Sequence, residues 1–172
     1  MITFPYAKVN LGLHVLARRT DGYHDLETVL VPIPLCDALE AVVLPGQPPA
    51  EVEFNRTGLP VPGPLRDDLC LKAVELIGRA RRLPGLRLHL HKAIPIGAGL
   101  GGGSSDAAHT LLLLNSMLQL GLKSDDLLGM AAELGSDCPF FVRRSVQSAS
   151  GRGDRSEPFP LDLQGIWLLL VN

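Results

Sequence analysis

The sequence has little of several things that would mark a specialised habitat. Cysteine is scarce: three residues, Cys36, Cys70 and Cys138, at wide and unrelated spacings. An odd number so placed gives neither a metal-ligand pattern nor a disulfide framework, and points to a reducing, cytoplasmic setting. Charge excess is small. Sixteen Lys+Arg against 18 Asp+Glu leave a formal net charge of -2, with no basic stripe to hold nucleic acid or an acidic membrane surface. No apolar run comes near the ~20 residues that a membrane-spanning helix needs. The opening, Met1-Ile2-Thr3-Phe4-Pro5-Tyr6-Ala7-Lys8, has no basic stretch leading into an apolar one, so no secretory leader is expected. Internal repeats and low-complexity tracts are missing too. What is there, 46% hydrophobic and 20% charged over 172 residues, suffices for one core-bearing domain and the beginning of another.

Along the chain, Lys8 to Leu16 alternates, with Val9, Leu11, Leu13 and Val15 expected on one apolar face. Asp21-Gly22 marks a turn, and strands are expected at Leu26–Pro34 and Ala38–Leu44. The Pro- and Gly-rich stretch 46–64 reads as loop, with at most a short strand at Glu51–Phe54. Leu69, Ala73, Leu76 and Ile77 fall on one side of a helix over Asp68–Ala80. Leu86, Leu88 and Leu90 alternate with Arg87, His89 and His91 in a half-buried strand. Helices are expected at Ser105–Leu120, closed by Gly121, and after Ser124, its cap, with Gly135 ending the second. Gly165 to Asn172 reads as a buried strand, and domains rarely end inside one, so a truncated or partial chain is expected. Strands early, helices late and no regular βα alternation point to an α+β fold.

The informative segment is Pro95-Ile96-Gly97-Ala98-Gly99-Leu100-Gly101-Gly102-Gly103-Ser104-Ser105-Asp106-Ala107-Ala108. So many glycines carry an entropic cost. Their use is to let backbone N–H groups converge on an anion, with the partly positive N-terminus of the following helix aimed at the same place. Ser104 and Ser105 add hydroxyl donors. A flexible linker is the plain alternative, but an apolar strand before and a long helix after leave it little room. Gly97, Gly99 and Gly102 match the dinucleotide fingerprint, yet the acidic residue that should follow some twenty positions on would fall at the end of a helix. A Walker A loop needs lysine where Gly103 stands. The protein-kinase loop is excluded by the absence of its His-Arg-Asp and Asp-Phe-Gly partners.

The remaining pattern, Pro-x-Gly-x-Gly-Leu-Gly-Gly-Gly-Ser-Ser-x-Ala-Ala, resembles the ATP loop of the GHMP kinases. Two further segments are similar to the signatures of one branch of that family: Ala7-Lys8-Val9-Asn10-Leu11 and Arg19-Thr20-Asp21-Gly22-Tyr23-His24-Asp25-Leu26. The resemblance runs along nearly the whole chain. It implies a ribosomal-protein-S5-like (domain 2) N-terminal domain over 1–154 and the beginning of a truncated second domain over 155–172. It also implies ATP as phosphoryl donor, Mg²⁺ carried with the nucleotide, and a small-molecule alcohol, cytidine diphosphate methylerythritol, as acceptor. No nucleic-acid or membrane partner is implied. The alternatives are a member acting on homoserine or a mevalonate derivative, a nucleotide-binding fragment without activity, or an RNA-binding domain of the same S5-like fold. Asp21-Gly22-Tyr23-His24 argues against the first and the net charge against the last.

Site residues follow from the same resemblance. Lys8, by itself unremarkable at a strand start, would sit beside the acceptor hydroxyl. Asp137, in Gly135-Ser136-Asp137-Cys138-Pro139-Phe140-Phe141, would be the general base, although a turn aspartate before Cys-Pro has a plainer reading as a cap. Tyr23 would stack on the cytosine, His24 would hydrogen-bond its edge, and Asn10 would share that pocket. Lys92 aligns with a lysine near the adenine, or is a plain surface residue. Asp68 stands where the family has asparagine, and a carboxylate lacks the amide's N–H donors. Residues 149–154 depart from the family's Ala-Glu-Gly-x-Gly-Glu in the same region. His89 and His91, at i, i+2 without a third ligand, read as a solvated face, and Cys138 as a packing residue.

Overall fold

The structure, a computed structural model, describes residues 1–22, 24–46, 51–153 and 155–171. Among the described residues, eight strands and four α-helices follow in the order β1 Ile2–Thr3, β2 Tyr6–Arg18, β3 His24–Cys36, β4 Ala38–Val43, β5 Val52–Gly58, α1 Leu69–Ala80, β6 Leu86–Lys92, α2 Gly102–Met117, α3 Ser124–Leu134, α4 Cys138–Arg143, β7 Gln147–Gly151 and β8 Arg155–Pro158, with a 3-10 turn at Leu65–Asp67 before α1. They form two four-stranded sheets, ordered β1-β4-β6-β5 and β2-β3-β7-β8. Every pairing is antiparallel except β5 with β6, which are joined through α1 as a parallel crossover. The α+β expectation holds.

Alternation explains β6. Leu86, Leu88 and Leu90 are buried, Arg87 and His91 exposed, and the leucines face the helices. Helix α1 buries Ala73, Leu76 and Ile77 as its spacing predicts, and adds Cys70 and Val74. The central element is α2, where every residue from Ser105 to Leu111 is buried. Such a helix needs internal partners for its polar side chains, and it has them: Thr110 Oγ1 donates to Asp106 O (2.8 Å), and His109 Nδ1 lies 2.8 Å from Ser105 O. A smaller cluster, Ala7, Ile33 and Ile94 with Val9, Leu35 and Leu100, packs where the glycine loop crosses β2 and β3.

Several expectations are corrected. Helix α2 begins at Gly102 rather than Ser105, because the last glycines of the loop take helical conformation. It ends at Met117; Gln119 (φ 51°) and Gly121 (φ 68°) turn the chain out. The N-cap of α3 is Lys123 rather than Ser124, its N–H held by Asp126 Oδ2 at 2.9 Å. The supposed loop 46–64 contains β5, longer than Glu51–Phe54, because parallel pairing with β6 extends it to Gly58. The single apolar face of β2 does not form. Register shifts between Leu11 and Leu13 and between Val15 and Ala17 break the alternation, and Leu13 and Val15 are exposed on an arm projecting from the body. Residues 165–171 form no strand and pair with none among the described residues, and Trp167 is 96% exposed. The short helix α4 was not anticipated, since Asp-Cys-Pro reads locally as a turn.

Candidate active site

The glycine loop bridges the end of β6 and the start of α2. Gly97, Gly99 and Gly101 all take positive φ (77°, 73° and 71°), a region that costs other residues strain. Gly101 is the most constrained. A Cβ there would fall 2.8 Å from Phe141 Cζ and 3.1 Å from Lys8 Cγ. At Gly102 it would fall 2.9 Å from Ile94 Cγ2. Only bare backbone fits between these neighbours, and the N-terminus of a 16-residue helix opens there. The loop borders a cleft of ≈ 340 Å³, which also draws on Arg56, Asp68, Leu69 and Lys92.

Two predicted catalytic residues, 129 positions apart in sequence, meet beside this loop. Lys8 Nζ lies 3.6 Å from Asp137 Oδ2, the lysine side chain 10% exposed and the carboxylate 40%. The ammonium is therefore sheltered while the carboxylate stays open to an incoming group. Backbone geometry ties the pair to the loop: Lys8 N–H donates to Leu100 O at 2.9 Å. Lys8 Nζ donates to Asn10 Oδ1 (2.7 Å), Asn10 Nδ2 to Thr28 Oγ1 (3.0 Å), and Thr28 Oγ1 to Gly12 O (2.6 Å). Asn10 is thus oriented on both sides of its amide. The chain leads into a second, open groove of ≈ 880 Å³ between the β2–β3 hairpin and β7–β8, lined among others by His14, Thr28, Arg143 and Ser148. His24 lies at the far end of that hairpin, opposite Arg18 and exposed. Tyr23 lies outside the described residues.

Lys92 corrects its surface reading. It is 2% exposed, its Nζ held by Asp37 Oδ2 and, at 2.6 Å, by Asp106 Oδ2. Burial lifts the Asp106 carboxyl to about 8, the Lys92 ammonium opposing that rise. For Lys92, burial pulls down but the two carboxylates outweigh it, so the ammonium stays charged. Asp68 borders the cleft, yet both its oxygens are engaged: Oδ1 caps α1 at Cys70 N–H (2.9 Å) and Oδ2 meets Arg56 Nη1 (3.0 Å). Cys138 is fully buried, and burial pushes its thiol up to about 11, as befits a packing residue. His89 Nε2 and His91 Nδ1 share Thr57 Oγ1 at 2.9 and 3.0 Å on an outer strand face, with no third ligand beside them among the described residues. Asp37, Thr28, Arg56 and His109 escaped the sequence reading. Their side-chain partners lie 12 to 55 positions away for the first three, and His109 looked like one more position on a helix.

A family model described as "GHMP kinases N terminal domain" matches residues 68–144. The 4-diphosphocytidyl-2-C-methyl-D-erythritol kinase of Azobacteroides pseudotrichonymphae is 48% identical over 172 residues, all of this chain and 62% of that protein. That of Parabacteroides distasonis is 46% identical with the same coverage. The chain thus spans about three fifths of the length of these curated relatives. A crystal structure of 4-(cytidine 5'-diphospho)-2C-methyl-D-erythritol kinase superposes with a TM-score of 0.77 at 38% identity, over 94% of this chain and 56% of that one. Methanococcus jannaschii mevalonate kinase, at 15% identity, covers 92% of this chain and 55% of that one with a TM-score of 0.65, which speaks to fold alone.

Proposed function

We propose that this chain, which is similar to GHMP kinase N-terminal domains over residues 68–144 and to a 4-(cytidine 5'-diphospho)-2C-methyl-D-erythritol kinase over 94% of its length, belongs to an ATP-dependent kinase acting on 4-diphosphocytidyl-2-C-methyl-D-erythritol. The γ-phosphoryl group passes to the acceptor's 2-hydroxyl, a step of the non-mevalonate (MEP) route to isoprenoid and terpenoid precursors. One observation carries the reading: Lys8 and Asp137, 3.6 Å apart, stand against a glycine loop whose Leu100 carbonyl accepts the Lys8 N–H. A phosphate on that loop and a hydroxyl at that pair would be neighbours, which is the proximity phosphoryl transfer requires.

In this scheme the segment Pro95, Ile96, Gly97, Ala98, Gly99, Leu100, Gly101, Gly102, Gly103, Ser104 and Ser105 cradles the phosphates: Ile96 to Ser104 offer backbone N–H groups and Ser104 a hydroxyl, Pro95, which has no N–H, shapes the entry, and buried Ser105, its N–H on Gly101 O, anchors the start of α2. Magnesium enters with the nucleotide and, when bound, neutralises charge on the phosphate oxygens. Asp137 takes the proton of the attacking hydroxyl, a contribution of about 10²- to 10⁴-fold. The acceptor oxygen then bonds to the γ-phosphorus as the bond to the β-phosphate oxygen breaks, releasing ADP. Lys8, oriented by Asn10, stabilises the oxygen as it loses its proton. The acceptor extends from this pair along the ≈ 880 Å³ groove, and the resemblance assigns its cytosine to Tyr23 for stacking and to His24 for hydrogen bonding. Asp68 and Lys92 border the nucleotide cleft. Asp68's contribution there is the shape of the cleft wall, because its oxygens are spent on the cap and on Arg56. Residues 1–154 are read as the ATP-binding domain and 155–172 as the beginning of a second one, although β8 pairs with β7 in the sheet of the first. A cytoplasmic setting belongs to the same proposal.

The test is ADP release on adding 4-diphosphocytidyl-2-C-methyl-D-erythritol, with this chain, a version extended at its C-terminus to its relatives' length, and Asp137→Asn in each. Turnover by the extended chain, cut at least a hundredfold by the substitution, supports reaction and base together. An extended chain that folds, binds ATP and stays silent with this acceptor sinks the assignment.

A further inference from the structure

The proposed chemistry makes no use of one buried group of charges, Asp37, Lys92 and Asp106. Lys92 and Asp37 are 2% and 1% exposed and Asp106 3%. Two carboxyl groups share one ammonium, and Asp106 Oδ1 has no hydrogen-bond partner among the described residues. Such an arrangement is a poor source of stability. Removing ions from water is costly, and a well-packed apolar set of similar volume would do as well or better. Its position offers another reason for it.

Asp37 lies between β3 and β4, and its contacts radiate to all the segments that frame the glycine loop. Oδ1 accepts the N–H groups of Ala93 (2.5 Å) and Ile94 (2.8 Å), the residues that lead from β6 into the loop. Oδ2 holds Lys92, which reaches across to Asp106 at the start of the second turn of α2, the helix that leads out of it. The Asp37 N–H donates to Pro5 O (2.8 Å), just before the strand that carries Lys8. Lys92 also forms the floor of the loop, its Nζ 3.3 Å from where a Gly102 Cβ would stand. A glycine-rich loop has no side chains of its own to hold its shape, and each glycine left free costs entropy when a ligand orders it.

We propose that Asp37 is a positioning residue: with Lys92 and Asp106 it clamps both ends of the glycine loop to the strand bearing Lys8, so that the loop is formed before any nucleotide arrives. The inference rests on reading that loop as the phosphate site, but its test does not. In Asp37→Asn the amide cannot accept the two backbone N–H groups and the Lys92 ammonium together, since one side of it is a donor. In Asp106→Ala the tie from Lys92 to α2 is cut, and in Asp106→Asn an acceptor for Lys92 is kept. Hydrogen–deuterium exchange of the free 172-residue chain reads the outcome segment by segment. Exchange over residues 93–106 should rise about tenfold or more in Asp37→Asn and Asp106→Ala, while Asp106→Asn stays near wild type and α3 is unchanged in all three. Should Asp37→Asn fail to fold, Asp106→Ala against Asp106→Asn decides alone. Wild-type protection over 93–106 in the variants that fold, or exchange rising equally in α3, overturns the proposal. Titration of the wild-type chain with Mg–ATP reports separately: absence of binding counts against the nucleotide reading and leaves the exchange result standing.

Discussion

Replacing Gly101 with alanine puts the tightest point of the site under a defined load. Its φ of 71° costs an L-residue about 1–2 kcal/mol on its own. The added Cβ would stand 2.8 Å from Phe141 Cζ and 3.1 Å from Lys8 Cγ. Phe141 is fully buried, so its ring cannot swing into solvent, and overpacking of this kind costs about 1–3 kcal/mol. Gly99 is the control: its φ is 73°, but nothing lies within 4 Å of its would-be Cβ. Gly99→Ala should therefore lose only the backbone part, and Gly101→Ala should exceed it by about 1–3 kcal/mol. For a chain of this size that excess is about 2–4 °C of melting temperature per kcal/mol. Phe141 shares α4 with the helix cap Asp137, so the displaced ring should also move the carboxylate away from Lys8. The assay is denaturant unfolding of both variants beside wild type, with a nucleotide titration on each. Equal losses for the two substitutions would mean that the loop yields freely at Gly101, and that the fixed approach of loop, Lys8 and α4 is not there.

Asp68→Ala removes the cap of α1 and leaves the Arg56 guanidinium, whose side chain is 14% exposed, only its long bond to Gly63 O (3.5 Å); thermal unfolding should show a loss of about 1–3 kcal/mol. Asp106 titrates near 8 when folded, above its ordinary 3.8, so its contribution is complete below about pH 4 and lost as pH rises toward 8. Asp106→Asn should then gain on wild type in denaturation midpoint between about pH 5 and pH 8.5, and a constant gap would refute the burial argument. His109 is depressed by burial from 6.5 to about 4, so its contribution is present above about pH 6.5 and lost as pH falls toward 4. His109→Gln should flatten the acid side of the stability profile by up to about 1.4 kcal/mol per pH unit in that window, read from midpoints at pH 6.5 and 4.5.

Much of the site was legible because its signals are local. Glycines at Gly97, Gly99 and Gly101 declare a loop that needs positive φ, and all three have it. The alternation of β6 named its buried leucines, and the spacing of α1 named Ala73, Leu76 and Ile77, while Leu69 is only partly buried and Cys70 and Val74 were not named. The misplaced boundaries came from reading residue types without their partners. Glycine is a poor helix former, yet Gly102 and Gly103 are in α2, because Ile94 and Lys92 leave no room for a side chain at Gly102. The apolar alternation of β2 promised a buried face, but register shifts and a hairpin arm beyond the body leave Leu13 and Val15 in solvent. At Ile166 to Val171 the same kind of pattern pairs with no strand among the described residues, although it borders Ile33 to Leu35 of β3.

Charged residues were the least legible, and the reason is physical. A lysine is normally at the surface, and only long-range partners reverse that expectation. Lys92 is 55 positions from Asp37 and 14 from Asp106, so no window of sequence contains the argument for burying it. Lys8 and Asp137 differ from it in one respect that bears on function. Lys92 is enclosed by two carboxylates and can do little but hold its neighbours, whereas Lys8 faces a carboxylate that is 40% exposed. A buried ion pair with no opening suits a fixed scaffold, and a half-open one suits a reaction in which a third group must enter. The two lysines flank one glycine loop, Nζ of one 3.3 Å from the Gly102 position and Cγ of the other 3.1 Å from the Gly101 position. Changes on the Lys92 side should therefore appear first in loop order and nucleotide affinity, and changes on the Lys8 side in turnover.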